Sequence, residues 1–173
     1  MTLQTLIVLA QFLAALGVIS SVVYLAIQVR QNAKITKAQF GHSLTSRLYE
    51  RYFLAAKDQE FSRFLAKNWS TDELEDYEYW RITLWINTCL VDIFDTYDQY
   101  KYGLVDITHL NMRMNLLKAG LMKTRMGRPT WEFWKVNRTP EFIEWFEIEI
   151  YGGPLTDTDP EESTWQDLNM KRD

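Results

Sequence analysis

The chain has 173 residues but only one cysteine, Cys89, two histidines, four prolines and seven glycines. A single thiol forms no internal disulfide, so nothing in the sequence asks for an oxidising compartment. His42 and His109 lie far apart, and neither sits in an E-x-x-H or H-E-x-x-H pattern, so a metal site in a helical bundle lacks its ligands. Scarce glycine and proline, with aromatics at 14%, argue against a turn-rich β fold and for helices. A Gly-rich phosphate loop, a nucleophile elbow and a C-x-x-C pair are also missing. The sequence therefore implies no metal, no cofactor and no enzyme.

Charge is missing in two further places. Residues 1–29 carry no charged side chain, and the first acid of the chain is Glu50. The basic residues before it are Arg30, Lys34, Lys37 and Arg47. The opposite bias closes the chain. Residues 152–173 hold Asp157, Asp159, Glu161, Glu162, Asp167 and Asp173 against Lys171 and Arg172, which accounts for the whole net charge of −4. With no basic face beyond the cluster after Val29, nucleic acid is not an expected partner.

What is present is a long apolar run. Leu3 to Val29 is 27 uncharged residues, and as a helix it measures about 40 Å, against about 30 Å of hydrocarbon in a bilayer. Thirteen Leu, Ile, Val or Phe fall between Leu6 and Gln28, worth about −4 to −8 kcal/mol on an insertion scale. A cleaved secretion signal places its basic residues before a shorter apolar stretch, whereas here they follow a long one. A buried helix of a soluble domain is the other alternative, and such helices seldom run uncharged so far. The expectation is a single-pass anchor, residues 1–29. Arg30, Lys34 and Lys37 then mark the membrane surface on the cytoplasmic side, leaving a short N-terminus outside, and the same three residues can meet anionic lipid headgroups.

Within the run, Ala10, Ala14, Gly17 and Ser21 fall within about 60° of one another around a helix, and Gln28 joins them. A strip without bulky side chains lets a second helix approach closely, and Gln28 offers a hydrogen bond across it. A protein partner, a second copy of the chain included, is expected there.

The remainder reads as an all-α domain of about four to five helices, residues 30–151, followed by a flexible acidic tail, residues 152–173. Val29, Ala33, Thr36, Phe40, Leu44, Leu48, Tyr52 and Ala56 step by three or four, so the anchor is predicted to continue as a stalk to about Lys57. "FSRFLAKNW" makes a short helix. Ser70 with Glu73 forms a capping box that predicts a central helix over about 72–102, with Ile82, Ile86, Leu90, Ile93, Tyr97 and Tyr100 as its core stripe. Gly103 ends it, Asp106 caps a helix over about 107–126, and Gly127 stops that one. Two short helices follow, the second with Thr139 as N-cap and Pro140 at its first position.

The segments "YLAIQVRQN" (24–32), "FDTYDQYKYGLVD" (94–106) and "GRPTWEFWKVNRTPEFIEWFEIEI" (127–150) resemble an uncharacterised family of bacterial single-pass membrane-anchored helical proteins. Its marks are a Q-[IV]-R-Q-N exit and a C-terminal tryptophan pair followed by P-E-F; here Trp131 and Trp134 are separated by Glu132 and Phe133. The resemblance implies a bacterial inner-membrane protein and transfers no catalytic residue.

Function is then expected to be interaction, as an accessory or assembly subunit of an inner-membrane complex. Trp131, Trp134, Phe142, Trp145 and Phe146 are expected to cover the central helix. Any exposed part of Trp131, Trp134 or Trp145 would offer a partner or ligand surface. In the tail, Trp165, beside a capping box of Ser163 and Gln166, is a candidate docking residue. One alternative is a carrier or sensor of a small hydrophobic ligand in an aromatic pocket between the last three helices. A distant alternative is an enzyme using Asp92, Asp95 or His109. Asp92, Asp95 and Asp98 otherwise read as a polar helix face, and Cys89 as a small core residue.

Overall fold

The computed structural model describes residues 2–69 and 73–155. Among these the chain is all-helical: α1 (Leu3–Lys57), α2 (Gln59–Leu65), α3 (Asp76–Lys101), α4 (Ile107–Lys118), a single 3₁₀ turn (Leu121–Lys123), α5 (Gly127–Lys135) and α6 (Pro140–Tyr151).

α1 is one unbroken helix of 55 residues, about 80 Å long at 1.5 Å per residue. It passes Arg30 without interruption because nothing there withdraws a backbone donor or demands another conformation. It ends where Asp58 leaves helical geometry and caps α2 instead, its carboxylate accepting the Phe61 N–H at 2.9 Å. Ser62 Oγ, donating to the Ala55 carbonyl at 2.8 Å, fixes the angle of the turn. All residues from 3 to 40 are exposed, and the buried residues of α1 are Leu44, Leu48 and Ala55. Burial thus follows Gly41, Leu44, Leu48, Arg51 and Ala55, a face rotated from the expected one, and Tyr52 and Ala56 are left in solvent.

α3 is the centre of the domain. Ile82, Ile86, Leu90, Ile93 and Tyr97 are buried as the stripe predicts, together with Cys89 and Phe94, while Tyr100, in the last turn of α3, is exposed. α2 contributes Phe64 to this core, α4 contributes Leu110, Met114 and Leu117, and α5 and α6 contribute Trp131, Phe142 and Phe146. The start of α3 differs from the expected one. Glu75 is the N-cap and forms a reciprocal box with Glu78, whose Oε2 accepts the Glu75 N–H at 3.1 Å. Ser70 lies outside the described residues. Glu78 is buried and its other oxygen takes Lys67 Nζ at 2.5 Å, a tertiary contact that favours this cap over the one further upstream.

Asp106 caps α4 at Thr108, Thr139 caps α6 at Phe142, and Pro140 opens α6, all as the sequence predicts. The long helix expected over 107–126 is instead broken. Gly120 takes φ +129°, which side-chain-bearing residues avoid, and the chain turns through the 3₁₀ segment. Gly127 begins α5 rather than ending α4; a Cβ on it would lie 2.3 Å from the Met122 carbonyl oxygen, so this glycine serves close approach.

α1 and α3 run antiparallel. Arg47 meets Asp95 at 2.5 Å and Arg51 meets Asp92 at 2.9 Å, so numbers rise along one helix as they fall along the other. The C-terminal end of α3 therefore points back toward the apolar half of α1. His109, near the start of α4, packs over Gly41, its Nε2 3.2 Å from where a Cβ would stand.

Candidate functional site

Two regions carry the chemistry: a buried charge cluster where the stalk enters the domain, and the exposed apolar length of α1. In the cluster, Asp92 on α3 is 5% exposed. Its Oδ2 accepts Arg113 Nε from α4 at 2.8 Å and lies 2.9 Å from Arg51 Nη2 of α1. Arg47, half in solvent, stands 4.0 Å from Asp92 Oδ1 and pairs with Asp95. Arg113 also donates to the carbonyls of Leu44 at 2.6 Å and His109 at 3.0 Å. Burial pulls its affinity for the proton down and Asp92 pulls it back up; a guanidinium stays charged throughout. The cluster is a three-helix joint, with one carboxylate and one guanidinium reaching α1, α3 and α4.

This accounts for Asp92 and Asp95 without catalysis. Asp98 is exposed, and His109 Nδ1 is buried without a hydrogen-bond partner, while the His109 carbonyl shares Arg113 with Asp92. Among the described residues no group of three His, Cys, Asp or Glu side chains is placed to hold a metal ion. Cys89 is buried in the same helix, and its thiol is pushed up to about 11, mainly by burial.

The aromatic residues fall into two sets. Trp131 is fully buried and stacked on Phe146 at 4.2 Å between centroids, so it belongs to the core and not to an accessible surface. Its Nε1 donates to Glu147 Oε1 at 3.0 Å. Lys135 Nζ reaches the same oxygen at 2.7 Å, and the Leu155 N–H reaches Oε2 at 3.1 Å. Burial pushes the Glu147 carboxyl up, but these donors outweigh it and hold it below its usual value. Trp134, bonded to Asn87, and Trp145, against Tyr97 and Phe142, are half-buried. Phe142 and Phe146 are buried among them, stacked at 5.8 Å between centroids. A cavity of about 450 Å³ lies elsewhere, between α1, α2 and α3, lined by Arg47, Glu50, Arg51, Leu54, Phe61 and Trp85 among others. Trp165 and its capping box lie outside the described residues.

On α1, Ala10, Ala14, Gly17, Ser21 and Gln28 are all exposed, and none of the described residues covers them. Ser21 Oγ donates to the Gly17 carbonyl at 2.8 Å, and Gln28 Nε2 donates to Tyr24 Oη at 2.7 Å. Each of these polar side chains thus makes one bond within its own helix, and the Gln28 amide keeps its Oε1 and a second N–H for a neighbour. The most apolar 18-residue stretch of α1 has a mean hydropathy of 2.4 and none of it is buried, which makes α1 a candidate membrane span. Arg30, Lys34 and Lys37 are exposed just beyond it.

Of these groups, the sequence pattern missed Arg51, Arg113, Glu78 and Glu147. A trace of the first was present: Arg47 and Arg51 stand four apart beside Leu44 and Leu48, charged residues next to an apolar stripe. Compared with protein-family models, curated proteins and solved structures, the chain matches none.

Proposed function

We propose that this protein is an anchored interaction subunit of a bacterial inner membrane. α1 spans the bilayer with a short N-terminus outside, the domain lies in the cytoplasm, and the protein serves an assembly as an accessory part rather than as a catalyst. The observation that carries the reading is the division of α1: residues 3–40 are exposed throughout and none is buried against the described residues, while the same helix is packed against the domain from Gly41 onward. A core helix of a soluble protein would be buried where this one is bare. A cleaved leader would be separable from the domain, whereas here the apolar run and the packed Leu44 share one continuous helix. The basic flank of Arg30, Lys34 and Lys37 supports the orientation. The strip of Ala10, Ala14, Gly17 and Ser21 supports close lateral approach of another span, from a partner or a second copy.

The test is purification of the full chain from membranes in mild detergent after cross-linking. A stoichiometric protein partner is expected, and it should be lost when Ala10, Ala14, Gly17 and Ser21 are replaced together by Leu. Retention of the partner by the quadruple variant would remove the strip from the reading. A lone monomer carrying a bound hydrophobic molecule would overturn the interaction role.

A further inference from the structure

Resting on the spanning role of α1, a second contact with the bilayer follows from how the domain hangs on the stalk. The antiparallel pairing of α3 with α1 brings the C-terminal end of α3 toward the apolar half of α1, and His109 over Gly41 brings the start of α4 to the same level. Lys101 at this end pairs with Glu141 at 2.5 Å, so the start of α6 joins them. Asp106 feels the charge of Lys37. Lys37 is seven residues past Arg30, about 10 Å along the helix; at a tilt that fits a run of about 40 Å into about 30 Å of hydrocarbon this is about 8 Å along the membrane normal, close to the outer edge of a headgroup layer of about 5–8 Å per side.

The connection between α3 and α4 is therefore the base of the domain, and its exposed side chains suit that height. Tyr102 is 80% exposed, Tyr100 38% and Ile107 37%, with Gly103 turning the chain at φ +69°. Tyrosine favours the membrane interface because its ring is apolar and its hydroxyl wet. Lys37 and Lys101 stand here with Asp98, Asp106 and Glu141, and Lys34 and Arg30 continue the basic side along α1 toward the apolar run, so the charge that faces the bilayer side is positive and matches an anionic leaflet. We propose that the Tyr102–Ile107 connection rests in the lipid headgroup layer, with Tyr102 and Ile107 as its contacts, so that the domain is fixed to the membrane at two points.

The test uses the full chain in vesicles of phosphatidylethanolamine and phosphatidylglycerol, with an environment-sensitive fluorophore on a single introduced cysteine. Cys89 is buried and stays in place, the parent chain serving as the labelling blank. Labels go on Tyr102→Cys, on Ile107→Cys, which keeps the tyrosine, on Tyr77→Cys at the far end of α3, and on Val18→Cys in the span. Headgroup nitroxide lipid is expected to quench the labels at 102 and 107 at least threefold more than the label at 77, and deep acyl-chain nitroxide to quench the label at 18. Quenching at 18 with 102 and 107 no different from 77 would overturn the second contact and leave the span standing. No quenching at 18 would overturn the span and the second contact with it.

Discussion

Asp92 and Arg47 illustrate how burial sets the worth of a charge in this protein. Asp92→Asn leaves Arg113, at 1% side-chain exposure, and Arg51, at 11%, without their anion, and breaking such a buried pair costs about 3–5 kcal/mol. Arg47→Ala removes a bridge whose partners are both more than 40% exposed, worth about 1 kcal/mol or less. Urea unfolding of the two variants in detergent should separate them by at least about 2 kcal/mol, and equal losses would mean the joint is not a buried one. Glu147 adds a pH dependence. Its carboxyl is held below its ordinary value in the folded chain, so the unfolded chain takes up the proton first as pH falls. Its contribution is complete above the ordinary range near 4.5 and is lost as pH drops through the lower folded value. The stability difference between the parent and Glu147→Gln should therefore shrink between pH 7 and pH 4. A gap of the same size at both would show that the Lys135, Trp131 and Leu155 contacts do not depend on the charge.

Among the elements, the turn between α4 and α5 is the place where one atom decides the geometry. Gly127→Ala would drive a methyl group into the Met122 carbonyl, and overpacking of this kind costs about 1–3 kcal/mol or more. Gly153→Ala meets nothing within 4 Å and is expected to be nearly neutral, so thermal melts of the pair check whether the loss is specific to that contact. The same turn explains what was readable beforehand. Caps at Asp106 and Thr139 were legible because a side chain bonding a backbone N–H two or three residues on is a local event. The core stripe of α3 was legible because period alone places it. Gly127 was misread because glycine marks either a stop or a close approach, and the carbonyl that decides between them is a tertiary neighbour. The start of α3 was misread for a similar reason: the Ser70–Glu73 pattern is as good locally, but Lys67 bonds Glu78. Arg113 and Glu147 left no local trace, since an ion pair between helices is set by which helices meet. The rotation of the packed face of α1 belongs here too, because Asp92 and Asp95 select Arg51 and Arg47 only once α3 lies alongside.

The molecule as a whole divides into a bare apolar half-helix without charged side chains and a domain and tail that carry all the acids, and that division sets its expected topology. A reporter that works only in the cytoplasm, fused after Asp173, should be active, and one fused before Thr2 should be silent. The reverse pattern would turn the protein over in the membrane while leaving the fold untouched. The domain holds α1 through Leu44, Leu48, Ala55 and the Asp92 joint, contacts spread over about three turns of helix.

Because α1 has no hinge between Leu3 and Lys57, the proposed span would act as a stiff lever with the bilayer as its bearing. There, a straight run of about 40 Å would fit about 30 Å of hydrocarbon by leaning or by thickening the bilayer around it. Where it leans, any thinning of the membrane, or any neighbour that pulls its N-terminal end upright, would be converted into a swing of the whole domain.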